Sequence, residues 1–143
     1  MHADTVLNER YDIKAGDFNS AGDASSSIKN VLKRLGVSNV VLRKVAIASY
    51  EAELNIIIHS YGGRLKFTVM RDAVVLIAED DGPGIPDVAQ AMTEGYSTAP
   101  ESVRMLGFGA GMGLPNMKRC TDEFDISSEI GRGTLIRMKF FLG

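Results

Sequence analysis

Residues 65–84 read LKFTVMRDAVVLIAEDDGPG. Leu65 to Met70 alternates apolar and polar side chains, and Ala73 to Ala78 is a short apolar run of strand length. Arg71-Asp72 connects them, so the pair predicts a hairpin of two adjacent strands. Strands that follow one another directly do not fit the alternating βαβ order of a doubly wound sheet. The stretch closes on Asp80-Asp81-Gly82-Pro83-Gly84, a turn composition placed just after a strand.

The pattern extends outward on both sides of this hairpin. Upstream, Ser38 or Asn39 opens a long helix running to about His59, with Val41, Val45, Ala48, Ala52 and Ile56 in a stripe wide enough to predict burial. Tyr61-Gly62-Gly63 ends it. Before it, a shorter helix starts near Asp23 or Ser25, either of which is a capping residue type, and carries Ile28, Val31, Leu32 and Leu35 at helical spacing. Gly36 supplies its stop. Val6 to Ile13 is a weak first strand, followed by a turn region from Gly16 to Gly22. Downstream, Asp87 to Gly95 is a short helix. Tyr96 to Gly113 has little apolar periodicity, and a segment of that length in a small domain usually serves function. Leu114 to Thr121 is helical, and Glu123 to Ser128 and Thr134 to Leu142 are strands around Ile130-Gly131-Arg132-Gly133. The order β-α-α-β-β-loop-α-β-β predicts an α+β fold. Its expected form is a two-layer sandwich, a mixed and mostly antiparallel sheet with helices on one face, with residues 1–143 as a single domain.

Composition narrows the function classes. The chain has 143 residues, 45% of them hydrophobic and 24% charged, with a formal net charge of -2. It lacks the basic field that a nucleic-acid backbone requires, so no nucleic-acid partner is expected. No stretch is apolar enough to span a bilayer or to act as a signal peptide, so no membrane partner and a cytoplasmic location are expected. The single cysteine, Cys120, makes neither an intrachain disulfide nor a metal cluster, and is expected to be a small packed side chain.

Four local features carry chemistry. Glu51 and Asn55 lie at i and i+4 on the long helix, so a carboxylate and a carboxamide project together from an apolar element. Taken alone this is also the pattern of a solvated stripe, and Glu53 beside it shows an acid with no role assigned. Asp80 stands at a strand end, where a carboxylate can accept a hydrogen bond from an amino group. Gly82 and Gly84 let backbone approach a ligand, although the same residues make an ordinary turn. Gly107-Phe108-Gly109-Ala110-Gly111-Met112-Gly113 leads into a helix, an arrangement that cradles phosphates through backbone N–H groups. It lacks the Gly-Lys-Ser/Thr ending of a Walker loop and does not follow a strand as a dinucleotide fingerprint does. Gly131-Arg132-Gly133-Thr134 alone is only a turn.

In this order and spacing the four features resemble the ATP site of the GHKL superfamily, over about residues 40–140. Within it the chain is similar to bacterial anti-sigma-factor and stress-response serine kinases. The similarity lies in Tyr50 to His59, Glu79 to Asp87, Gly95-Tyr96-Ser97-Thr98, and Gly109 to Arg119 followed by Asp122-Glu123-Phe124. A histidine kinase is disfavoured, because no phosphoacceptor His on a dimerisation helix precedes the domain.

The resemblance implies a GHKL-type sandwich binding ATP and Mg²⁺. It implies that Asn55 holds the metal, that Glu51 is the general base, and that Asp80 accepts the adenine amine. Gly82 and Gly84 would shape the base pocket with support from Thr134, and Gly109, Gly111 and Gly113 would wrap the phosphates. Arg104 is the lid cation it offers to the γ-phosphate, in a segment, Pro100 to Leu106, that is longer than in several relatives. Ser97 and Thr98 contact phosphate or cap a turn, and His59 is expected to be a packed helix residue. The implied activity is a serine/threonine protein kinase acting on a STAS-domain anti-anti-sigma protein, with a sigma factor or phosphatase as a further partner and a homodimer left open. The alternative is a non-catalytic, ATP-sensing interaction module.

Overall fold

The expected hairpin forms at the centre of the sheet. The computed structural model describes residues 5–85, 87–93 and 113–142. In it β2 (Gly63–Met70) and β3 (Ala73–Asp80) pair antiparallel. With β1 (Thr5–Ile13), β4 (Glu123–Glu129) and β5 (Gly133–Phe141) they make a five-stranded sheet in the order β1-β2-β3-β5-β4. All four pairings are antiparallel, so the parallel component of the expected mixed sheet does not occur among the described residues. The helices are α1 (Asp23–Arg34), α2 (Asn39–His59), a short α3 (Val88–Ala91) and α4 (Gly113–Cys120). Element order and most boundaries match the expectation to within a few residues.

Period-two alternation sets the two faces of the sheet. Leu65, Phe67 and Val69 of β2, Val74, Leu76 and Ala78 of β3, and Ile136, Met138 and Phe140 of β5 point into one core with the helices. The intervening residues, Arg64 and Lys66 on β2 and Leu135, Arg137 and Lys139 on β5, are half-buried or exposed. Each fully buried Phe, Leu, Ile or Met in this layer contributes about 1.5–3 kcal/mol relative to exposure. Phe67, Leu65, Leu76, Ile136, Met138 and Phe140 are all of this kind.

Helix α2 is the organising element. Ser38 caps its start, accepting from the Val41 N–H at 3.4 Å. Both α1 and α4 pack on it, and it meets β1, β2, β3 and β5. This explains why its apolar stripe is so wide, with Leu42, Val45, Ala48, Ala52, Ile56 and Ile57 all buried. After His59 the chain turns back: Ser60 Oγ donates to the Ile56 carbonyl at 2.6 Å and accepts from Gly62 N–H at 3.0 Å.

The start of α1 departs from the sequence reading. Neither Asp23 nor Ser25 caps it. The N-cap position is Gly22, at φ 99°, with no side-chain cap of its own. Ser25 Oγ instead donates to the Gly22 carbonyl. The cap comes from α2: Glu53, 2% exposed, accepts from Gly22 and Ala24 N–H through Oε2 and from Ser25 N–H through Oε1, at 3.1–3.2 Å. The acid that looked incidental is therefore the buried anchor of α1. A carboxylate at a helix N-terminus also meets the positive end of the helix dipole.

No described helix is long and apolar enough to cross a membrane.

Candidate functional site

Asp80 is the last residue of β3, and the strand register places it opposite both Gly63 of β2 and Thr134 of β5. Its Oδ1 accepts from Thr134 N–H at 3.2 Å. Burial pushes its carboxyl up from the ordinary 3.8 to about 6, opposed by the Thr134 hydrogen bond and assisted by the charge of Asp81. A carboxylate held at the edge of water and short of partners is suited to accept a ligand amine. Beside it, Arg64 pairs with Glu79 at 2.6 Å, and Arg64 lies 3.8 Å from Asp81.

The loop after Asp80 is tied down on two sides. Tyr61 N–H donates to the Asp81 carbonyl and Asp81 N–H to the Gly62 carbonyl, which fastens it to the end of α2. Buried Gly82 lies so close to that end that a Cβ on it would stand 3.1 Å from Ser60 Cα and 3.2 Å from Asp80 Oδ1. On the other side, Gly131 N–H donates to the Pro83 carbonyl, and Ile85 N–H donates to Ser128 Oγ at 2.7 Å. Ser128 Oγ also lies 3.1 Å from the Gly133 carbonyl and 2.8 Å from Thr134 Oγ1. A hydroxyl offers one donor and two acceptor sites, so Ser128 can serve all three partners at once. Two glycines make the approach possible. Gly84 (φ +78) and Gly133 (φ +117) have left-handed backbone, and a Cβ on either would collide with the facing chain, at Glu129 and Asp80 respectively.

The second half of the site lies along α2 toward its N-terminus. Asn55 and Glu51 are half-buried, one turn apart. Gly113 opens α4 directly against Glu51, since a Cβ there would stand 3.2 Å from Glu51 Oε2. Burial raises the Glu51 carboxyl above its ordinary value, and a hydrogen bond from the Asn116 side chain partly offsets the rise. His59, on the same helix, is half-buried and its imidazole is pushed down by burial.

Distance along α2 links the halves. Ser60 marks the Asp80–Gly82 end and Glu51 the Gly113 end. Nine residues at a rise of 1.5 Å put about 14 Å of helix axis between them. The residues therefore fit the ligand implied by the sequence: an amine acceptor at one end, backbone cradles that a Cβ would fill, and a carboxylate with a helix N-terminus at the other.

Of the expected site residues, Asp80, Gly82, Gly84 and Thr134 are brought together around the loop, and Glu51 is brought against Gly113. Asn55 stands between the two groups on α2. Arg104, Gly109 and Gly111, with Ser97 and Thr98, lie outside the described residues. Ser128 and Asn116 were not singled out from sequence. The signals available were a serine just before the Gly131-Arg132-Gly133-Thr134 turn and a polar residue one turn into the helix after the glycine run. A cavity of about 460 Å³ between the end of β1 and the start of α1, lined by Arg10, Lys14, Asp17 and Asp23 among others, shares no lining residue with this site.

Residues 36–143 match the family of histidine kinase-, DNA gyrase B- and HSP90-like ATPases, and the chain belongs to it. Within that family it is similar to the serine/threonine-protein kinase RsbT of Bacillus subtilis (strain 168), at 36% identity over 113 residues, 76% of this chain and 79% of that protein. It is also similar to the anti-sigma F factor of Clostridium novyi (strain NT), at 39% identity over 66% of this chain and 67% of that protein. The anti-sigma F factor of Geobacillus stearothermophilus is 35% identical over 68% of each.

Proposed function

We propose that this chain is an ATP-dependent serine/threonine protein kinase of the anti-sigma-factor type, transferring the γ-phosphoryl group to a STAS-domain anti-anti-sigma protein and switching partner binding as it does so. One observation carries the reading: the half-buried Glu51 carboxylate faces the first residue of α4, so a base stands beside a helix start that can receive phosphate. A module that only sensed ATP has no need of a base at that point. The relatives named as a serine/threonine kinase and as anti-sigma factors support the same assignment.

In this reading Asp80 accepts the adenine amine, and Gly82, Gly84 and Thr134 shape the pocket around the base. Asn55 offers a carboxamide oxygen to Mg²⁺, a suitable hard ligand beside phosphate oxygens and water. Bound Mg-ATP supplies a transferable phosphoryl group with part of its charge already offset. Glu51 takes the proton from the substrate hydroxyl as that oxygen bonds to the γ-phosphorus and the bond to the bridging oxygen breaks, leaving ADP and a phosphoprotein. The backbone N–H of Gly113 stabilises the charge that develops. Arg104, Gly109 and Gly111 would complete the phosphate cradle. A sigma factor or a phosphatase is the kind of further partner such a switch would control.

The test is to incubate the protein with Mg-ATP and STAS-domain proteins from the same genome and to weigh each acceptor intact. Gain of one phosphate on an acceptor is the expected result. ATP binding without transfer to any acceptor would replace this reading with that of a nucleotide-sensing module.

A further inference from the structure

Charge is distributed unevenly along this chain. Residues 24–50 hold five cationic side chains, Lys29, Lys33, Arg34, Arg43 and Lys44, and no Asp or Glu, in a protein whose formal net charge is -2. All five are exposed, and among the described residues none of them is ion-paired. The stretch is α1 and the first half of α2, which pack on one another and run in opposite directions. At one end Gly22 lies against Tyr50, where a Cβ would stand 3.6 Å from the ring, and at the other only residues 35–38 join the two helices.

Exposed apolar side chains lie on the same surface. Val40 is 67% exposed, Ile47 41% and Tyr50 37%, with Leu35 at 46% in the connection. On α2, Val40, Arg43, Lys44, Ile47 and Tyr50 follow at spacings of three and four, so they form one ridge, turned away from the buried Val45, Ala48 and Ala52. The ridge runs into the candidate base. Ile47 stands one turn before Glu51, Tyr50 directly precedes it, and the next apolar residue in line, Leu54, is buried. An apolar strip rimmed by charge is the character of a protein contact. A folded protein that delivers a hydroxyl to Glu51 lays its own surface over this ridge.

We propose that the ridge at residues 40–50 of α2, with the cations around it, is the docking surface for the phosphate acceptor, and that the acceptor meets it with an acidic face carrying an apolar centre. The inference rests on the reading of Glu51 as the base, and it adds what selects the substrate. Burial of Val40 and Ile47 supplies affinity, and the five cations steer and orient an acidic partner. A lipid surface also attracts a basic helix face with exposed apolar groups. It has no Ser or Thr side chain to bring to the adjoining carboxylate, so the position of Glu51 at the end of the ridge favours a protein. None of Val40, Arg43, Lys44 and Ile47 is among the residues assigned to ATP.

The experiment compares wild type with two double variants, Arg43→Glu with Lys44→Glu and Val40→Ser with Ile47→Ser. Arg137→Glu, an exposed charge reversal on β5, is the control. The acceptor is the STAS-domain protein that gains phosphate in the intact-mass assay. Its KM and kcat are measured, with its Kd by calorimetry in the presence of Mg-ADP and the Kd for Mg-ATP. Urea midpoints confirm that each variant is folded, as expected for substitutions at exposed positions. Each double variant should raise the acceptor KM and Kd by about 10- to 100-fold, with kcat at saturating acceptor and the Kd for Mg-ATP unchanged. Arg137→Glu should leave all of them at wild-type values. Added KCl should lower kcat/KM in wild type, and much less in the charge-reversed variant. Wild-type KM in both double variants would overturn the proposal and leave the kinase reading standing. A fall in kcat or in Mg-ATP affinity with KM unmoved would overturn it as well. If no acceptor gains phosphate, the kinase reading fails, and calorimetry with the STAS-domain proteins decides the docking surface alone. Binding weakened by both double variants keeps the proposal; no binding, or binding that neither variant weakens, removes it. Co-sedimentation with phosphatidylglycerol–phosphatidylcholine vesicles that is lost in both double variants, with acceptor KM and Kd unmoved, would assign the ridge to a membrane instead.

Discussion

Replacing Asp80 by Asn should make the protein more stable and a worse binder of ATP. The asparagine keeps an oxygen for the Thr134 N–H, which lies 3.2 Å from Oδ1, so the strand-end contact survives. What is lost is a charge that burial opposes. The Asp80 carboxyl lies at about 6 in the folded protein against an ordinary 3.8. At about 1.36 kcal/mol per pH unit that interval corresponds to about 3 kcal/mol. Water screens a half-buried group, which cuts the expected effect to about 1–2 kcal/mol. The sign follows from linkage. An acid whose folded value is raised holds its proton more tightly folded than unfolded, so its ionised form costs stability. The cost is full above about pH 6, shrinks as pH falls through the interval, and is gone below 3.8. Urea unfolding of wild type and Asp80→Asn across this range is the assay, and the other carboxylates cancel in the difference. The variant should be more stable by about 1–2 kcal/mol near neutrality, converging on wild type as the pH is lowered toward about 4. Calorimetric titration with Mg-ATP should show affinity reduced by about 10- to 100-fold, the worth of a hydrogen bond to a charged acceptor. A variant less stable than wild type at neutral pH, or a stability difference that does not change with pH, would refute the reasoning.

Two further outcomes are expected. Glu53→Leu leaves the N–H groups of Gly22, Ala24 and Ser25 without their acceptor; the two buried donors, Ala24 and Ser25, cost about 1–3 kcal/mol each, so unfolding free energy should fall by about 2–6 kcal/mol in urea titrations. Ser128→Ala unties Ile85 from the Gly133-Thr134 turn and should raise the Mg-ATP Kd by about 5- to 10-fold, with Ser128→Thr, which keeps the hydroxyl, nearer to wild type.

The fold was legible because its elements are local. The period-two pattern of Leu65–Met70, the cap at Ser38 and the stop at Gly36 each depend on a few neighbouring residues, and each element appeared where expected. The local structure of the candidate site was partly legible for the same reason: Asp80, Gly82 and Gly84 announce a strand end and a tight loop. What stayed hidden are contacts between distant parts of the chain. Glu53 caps a helix 28–31 residues away, so nothing near it distinguishes it from a solvated acid. Ser128 meets Ile85 across 43 residues, and its neighbours show only an ordinary hairpin. The expected cap at Asp23 or Ser25 failed because tertiary contact supplied a better acceptor than either side chain.

In the proposed function Glu51 is the base of a phosphoryl transfer. The most direct measurement is the single-turnover rate of phosphate transfer from Mg-ATP to a STAS-domain acceptor for wild type and Glu51→Gln side by side, with Mg-ATP affinity measured on both. The rate is expected to fall by about 100- to 10,000-fold in the variant, the usual worth of general base catalysis, with ATP affinity little changed. Transfer by Glu51→Gln at the wild-type rate would contradict it.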